Sequence, residues 1–158
     1  RVEDSGLWHR YATALAEISE RRHRCTPLPG HPVYTNAVLG PKGQGRLSHS
    51  VNEVFLWHGS SPQAVTSIVQ SGFNLDLSGS ATGAMFGRGT YFAECSSKAD
   101  EYSSDDKDGY YQGCFAMLLC RVVLGEVQTL TEADCSAHLR TGPDQPYDST
   151  LGDREAAR

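Results

Sequence analysis

The sequence has no apolar run approaching the roughly 20 residues needed to cross a bilayer. Arg1 is followed by charged and polar residues, where a secretory signal would have an apolar stretch. There is no initiating methionine either, so the chain reads as a domain excised from a longer protein. No C-x-x-C pair exists, and the five cysteines, Cys25, Cys95, Cys114, Cys120 and Cys135, are odd in number. A zinc centre or disulfide framework is therefore not expected, and an intracellular, reducing compartment fits better. An excess of positive charge is also missing. The net charge is −5, and residues 51–158 carry seven Lys/Arg against fifteen Asp/Glu. A nucleic-acid groove needs a basic stripe, so direct nucleic-acid binding is not expected. The acidic run at Asp100, Glu101, Asp105, Asp106 and Asp108 reads as a solvated loop. Repeats and coiled-coil heptads are absent. No G-x-G-x-x-G follows a strand, which argues against a doubly wound sheet.

What is present suits one domain spanning residues 1–158, with 39% hydrophobic residues for a single core. Leu7, Tyr11, Leu15 and Ile18 recur at helical spacing, and Asp4 or Ser5 can cap the start. A helix over about 6–22 follows. Residues 26–50 are punctuated by proline and glycine and form a loop-rich segment. Val54 to His58 reads as a buried strand broken by Gly59. A helix then opens at Ser61-Pro62, carries Ala64, Val65, Ile68 and Val69 on its apolar face, and closes at Gly72. Tyr91-Phe92-Ala93 reads as a short strand. Ser96 or Ser97 starts a helix, with Asp100 at capping-box distance from Ser97. Phe115 to Leu124 is apolar on both parities, so both faces should be covered, with Cys114 and Cys120 as core packing. Residues 132–158 read as a polar, turn-rich tail. Short strands interleaved with short helices predict an α+β fold, with helices covering sheet faces.

Three features point to chemistry. His58-Gly59-Ser60 ends a strand, where an imidazole can bond a ribose hydroxyl and a glycine lets a ligand approach the backbone. Met85 to Glu94 places glycines and Tyr91 beside a cleft. Ser96 to Tyr102 puts a second tyrosine on a helix, where its ring would face Tyr91. Two facing rings make a slot for a planar heteroaromatic ring, with stacking contributing roughly 0.5–1.5 kcal/mol beyond burial.

In this order the three features resemble the ADP-ribosyltransferase domain of the poly(ADP-ribose) polymerase family. The likeness runs from about Leu7 to the end of the chain and is densest from Leu56 to Tyr102. It rests on a strand followed by H-G-S and, about thirty residues later, F-G-R-G-T-Y-F-A. Leu7-Trp8 and Tyr11 also resemble the opening of members that transfer single ADP-ribose units. The resemblance implies a split, mixed and antiparallel sheet core flanked by short helices. It further implies NAD⁺ as co-substrate, no metal, a protein as acceptor, and no contact with membrane or nucleic acid. His58 would bond the adenosine ribose and orient NAD⁺, and Gly59 would grip the nicotinamide carboxamide through its backbone. Ser60 would lie near the adenosine ribose. Tyr91, with Phe92 after it, would stand beside the nicotinamide and its ribose, and Tyr102 would stack on the opposite side. Residues 74–85 match the donor loop over NAD⁺.

Two departures from the family pattern matter. Ala99 stands where many relatives have a serine that bonds the carboxamide, and losing that bond would weaken binding by about 0.5–1.5 kcal/mol. The family's late strand, bearing a glutamate or an apolar residue, is not matched before Arg158, and Glu155 is no substitute. A chain lacking it should leave unpaired edges and exposed apolar surface, and be poorly soluble or partly disordered in isolation. The implied reaction cleaves the nicotinamide–ribose bond through an oxocarbenium-like transition state. It passes ADP-ribose to a protein side chain, most simply as single units. A non-catalytic NAD⁺- or ADP-ribose-binding module and an NAD⁺ glycohydrolase are the alternatives.

Overall fold

A computed structural model describes residues 3–28, 33, 35–36, 47–77, 85–142 and 145–153. Most of the loop-rich segment 26–50, much of the donor loop 74–85, and Glu155 lie outside the described residues. The architecture is α+β, with one antiparallel and one parallel two-stranded sheet among the described residues.

Helix α1, Ser5–Arg22, starts where sequence reasoning placed it. The Asp4 carboxylate accepts the Leu7 N–H at 2.7 Å and caps the first turn. Strand β1, Glu53–Ser60, pairs antiparallel with β2, Ala116–Val123, from Glu53↔Val123 to Ser60↔Ala116. β1 is longer than expected, because Gly59 continues it instead of breaking it. Helix α2, Pro62–Ser71, follows with the Ser61 hydroxyl accepting the Ala64 N–H at 3.2 Å, and it ends on Gly72 at φ 87°. Helix α3, Ser96–Asp100, is one short turn. Its N-cap is Cys95 without a side-chain bond, so the capping box anticipated from Ser97 and Asp100 does not form. Tyr102 lies beyond the helix, its N–H donated to the Ala99 carbonyl at 3.0 Å.

The tail expected after residue 132 is not all turn. β4, Ser149–Gly152, pairs in parallel with β3, Val127–Leu130. The buried Gln128 side chain donates to the Ala137 carbonyl and to Thr150 Oγ1, both at 2.7 Å, which locks that pair. These strands were hidden because each has only four residues and none shows a clean apolar alternation.

α1 fastens the two sheets together. Near its start, Arg10 donates to the Ser71 carbonyl at 2.7 Å, at the end of α2. In its middle, Tyr11 Oη donates to Glu53 at 2.5 Å. At its end, Arg21 and Arg22 bind Asp148 at 2.6 and 2.8 Å, just before β4. Glu53 is completely buried and also accepts from the Ser48 N–H and from Arg121. Burial alone would raise its pKa, but the bonds from Arg121, Tyr11 and Ser48 outweigh it and hold the carboxyl below its ordinary value. The Tyr11 phenol is pushed up, mainly by burial and then by Glu53, so it stays a donor. Arg121 completes the cluster over the Trp8 and Tyr11 rings, 5.5 and 5.9 Å from their centroids.

Among the described residues the buried apolar set is small: Cys25, Leu47, Val51, Val54, Ala99 and Ala137. β2 is not covered on both faces. Met117 and Leu119 are exposed, as is Phe115 ahead of the strand, while their even-numbered neighbours are half-buried. Cys120 is half-buried, its thiol pushed up to about 11 by burial, but Cys114 is exposed and not a core residue.

Candidate functional site

The site forms along the edge of β1 opposite β2. Alternation in an antiparallel strand sends the N–H and C=O of every second residue to the same edge. Phe55 N–H bonds Asn36 Oδ1 at 2.9 Å, and Trp57 exchanges two 2.8 Å bonds with Ala93. Gly59 is next in that series, so its N–H and C=O face the same edge, and they have no partner among the described residues. The strand expected at Tyr91-Phe92-Ala93 reduces to this single bridge, Trp57↔Ala93. That bridge suffices to lay Tyr91 and Phe92 beside His58.

His58 is fixed on three sides. Its Nδ1 lies 2.9 Å from the Tyr91 carbonyl, an acceptor, so Nδ1 carries the proton and a neutral ring keeps its Nε2 lone pair. Nε2 has no partner among the described residues. The ring stands edge-on to Phe73 at 5.0 Å and tilted to Phe92 at 5.7 Å, and those two rings pack at 5.4 Å. Phe73, one residue past the α2 cap, was not singled out from the sequence; its only cue is its place after Gly72.

Tyr91 is tied down by its hydroxyl. It donates to the Gly87 carbonyl at 2.6 Å and accepts the Phe86 N–H at 3.0 Å, while the residue stays exposed. The turn it grips is anchored in turn by neighbours. A Cβ on Gly152 would meet the Phe86 ring at 2.3 Å, so that ring packs against β4. A Cβ on Gly87, at φ 85°, would meet His138 Nδ1 at 2.1 Å, and Arg88 N–H approaches the same nitrogen at 3.3 Å. Arg88 also binds Asp76 at 2.6 Å. Phe86, Arg88, Asp76, His138 and Gly152 were thus missed as site supports. The signal available for them was glycine at 87 and 152, where a ring must approach backbone.

Tyr91 and Tyr102 are both exposed. The Tyr102 ring has Lys98 Nζ above it at 5.2 Å. Tyr102 also follows the C-cap of α3, and is not on the helix as expected. Ala99 is buried, with its carbonyl against β1: a Cβ on Gly59 would stand 1.8 Å from that oxygen. Ser60 ends β1, half-buried and paired with Ala116. The structure therefore brings His58, Gly59, Tyr91, Phe92 and Ala99 together around one strand edge.

The whole chain, residues 1–158, matches the model of the poly(ADP-ribose) polymerase catalytic domain. Poly(ADP-ribose) polymerase 2 of Homo sapiens is 35% identical over 129 residues, covering 71% of this chain and 20% of that protein. Poly(ADP-ribose) polymerase 1 of Arabidopsis thaliana is 39% identical over 83 residues, 52% of this chain and 8% of that protein. The tankyrase of Caenorhabditis elegans is 36% identical over 80 residues, 50% of this chain and 3% of that protein. The chain thus spans a fifth or less of the length of these relatives. With its full length matched, this chain belongs to the poly(ADP-ribose) polymerase catalytic-domain family.

Proposed function

We propose that this chain binds NAD⁺ along the β1 edge and transfers its ADP-ribose to a protein side chain, releasing nicotinamide. The observation that carries the reading is the His58–Tyr91 bond, which couples the two motif segments and, among the described residues, leaves His58 Nε2 as an acceptor without a partner. A ribose hydroxyl can donate to that nitrogen. The open amide of Gly59 offers one donor and one acceptor, the complement of a primary carboxamide. Tyr91, held by Gly87 and Phe86, presents a rigid ring beside them. Ser60 and Phe92 complete the edge, Ala99 supports Gly59 from beneath, and Tyr102 closes the far side once a ring is present.

These groups bind and orient; they do not themselves break a bond. Their chemical role is to fix the dinucleotide at both ends so that the glycosidic bond is held for departure of nicotinamide. Cleavage develops positive charge on the ribose carbon, as in glycoside hydrolysis.

Transfer of single units is the reading we favour over chain growth, on the likeness of Leu7, Trp8 and Tyr11 to mono-transferring members. The relatives above bear polymerase names, so product length is the deciding measurement. A non-catalytic binding module is the second reading, favoured by Ala99, which supplies no hydroxyl to the carboxamide. Incubation of the intact protein with labelled NAD⁺ separates them. Label on protein in single units supports transfer, ladders support polymerisation, free ADP-ribose supports hydrolysis, and binding without turnover supports the module. Transfer that survives replacement of both His58 and Tyr91 by Ala would sink the proposal.

A further inference from the structure

Helix α2 has no basic residue in its last turn. The last carbonyls of a helix have no partner inside it, and they form the negative end of its dipole. Ser71 is the last residue of α2, and its carbonyl accepts from the Arg10 guanidinium of α1 at 2.7 Å. α1 also packs on the corner that follows. A Cβ on Gly72 would meet Arg10 Nη2 at 3.1 Å and Leu7 Cδ2 at 3.2 Å. The next residue is Phe73, whose ring stands perpendicular to the His58 ring with 5.0 Å between centroids. Phe92 closes the group, 5.4 Å from Phe73 and 5.7 Å from His58.

We propose that Arg10 is a positioning residue for His58, acting through the corner from Ser71 to Phe73. The role rests on the NAD⁺ reading above, in which His58 Nε2 accepts from a ribose hydroxyl. The Tyr91 carbonyl fixes which nitrogen of the neutral ring carries the proton. A single hydrogen bond leaves the ring free to swing about it, and the Phe73 and Phe92 rings remove that freedom. The corner itself needs an outside hold. Gly72 turns at φ 87°, and glycine reaches neighbouring conformations at little steric cost. Arg10 supplies the hold by charge and by hydrogen bond, with Leu7 packed beside it. Released from Arg10, the corner relaxes and Phe73 backs away. Nε2 then samples directions from which no ribose hydroxyl can reach it.

The test is a double-mutant cycle on NAD⁺ binding to the intact protein, with Arg10→Ala, His58→Ala and both together. Arg10→Ala should weaken NAD⁺ binding about three- to tenfold while His58 is present. It should have no further effect once His58 is Ala. Equal losses in the two backgrounds would mean that Arg10 only stabilises the fold, and that result overturns the proposal, as does an unchanged affinity. Arg10→Lys keeps the charge and a donor, so it should bind NAD⁺ more tightly than Arg10→Ala; no recovery also overturns the proposal. Imidazole nitrogen NMR of the unliganded protein is the second measurement. In the wild type one His58 nitrogen should read as protonated and the other as bare. In Arg10→Ala the two resonances should move toward each other as the tautomers mix, and unmoved resonances overturn the proposal. If Arg10→Ala fails to fold, Phe73→Leu takes its place in both measurements with the same outcomes. A wild type that binds no NAD⁺ overturns the NAD⁺ reading, and the nitrogen resonances then decide the positioning alone.

Discussion

Gly59→Ala tests the site at the point where fold and chemistry coincide. The added methyl carbon would stand 1.8 Å from the Ala99 oxygen and 2.8 Å from its carbonyl carbon, where ordinary contact begins at 3.4 Å. These are backbone atoms, so no rotamer change relieves the clash. Either β1 or the Ala99 peptide must move by more than an ångström, and α3 is a five-residue helix with no side-chain cap. α3 is the element that yields, carrying Tyr102 and Ser103 with it. Overpacking of this kind costs about 1–3 kcal/mol, or about 2–4 °C of melting temperature per kcal/mol at this size. A shift near 1 Å at a reacting site costs on the order of 100-fold in rate. Gly59→Ala should therefore stay folded, melt several degrees lower, and lose about two orders of magnitude in ADP-ribosyl transfer. Gly89→Ala is the control, because nothing lies within 4 Å of a Cβ there. Thermal melts beside labelled-NAD⁺ turnover read both. Wild-type turnover in Gly59→Ala would refute the placement of α3 on β1, and an equal loss in Gly89→Ala would refute the specificity of the effect.

Glu53→Gln removes one partner of a buried ion pair and should destabilise the fold by about 3–5 kcal/mol in denaturant titration; a loss under 1 kcal/mol would contradict the cluster. Because the folded Glu53 pKa is depressed, its contribution is fully present above the unfolded carboxyl value near 4.3. It is lost as pH falls through the folded value, so the acid branch of the stability profile should flatten in Glu53→Gln. Native thiol labelling should modify Cys95, Cys114 and Cys135 quickly, since all three are exposed. Cys120, raised to about 11, and Cys25, raised by burial and then by Glu126 and Asp148, should react at least tenfold more slowly by peptide mapping. Gly87→Ala, strained at φ 85° and facing His138, should reduce NAD⁺ affinity more than His138→Ala, which leaves the turn room to relax. The reverse order in a binding titration would show that the imidazole itself, and not the turn geometry, supports Tyr91.

The legible parts of this molecule are those in which one residue type answers one local need. Asp4 and Ser61 cap helices because a short side-chain oxygen is required there, and Gly72 ends α2 at positive φ. His58, Gly59 and Tyr91 were singled out because their spacing matches a family pattern, though the pattern did not say how they are held. Pairings between distant segments stayed hidden. Arg22 and Asp148 are 126 residues apart, and Tyr11 and Glu53 are 42 apart, yet these pairs decide where α1 lies. The misreading of β2 has the same origin. An apolar run on both parities states what a strand can bury, not what the rest of the chain supplies to cover it. Met117 and Leu119 remain 38% exposed each. The two tyrosines are held unequally: Tyr91 spends its hydroxyl on Phe86 and Gly87, while Tyr102 follows a helix that stops two residues before it. The fixed half of the site is therefore His58, Gly59 and Tyr91, each held by backbone bonds or packing. Tyr102 sits on a short uncapped turn, so the second wall of the slot should form only when a planar ring is there to be stacked against. Substituting Tyr102 by Ala should then lower affinity for the nicotinamide end by about 0.5–1.5 kcal/mol, and leave the melting temperature of the unliganded protein unchanged. A Tyr102→Ala protein that melts markedly lower without ligand would mean that the wall is already built.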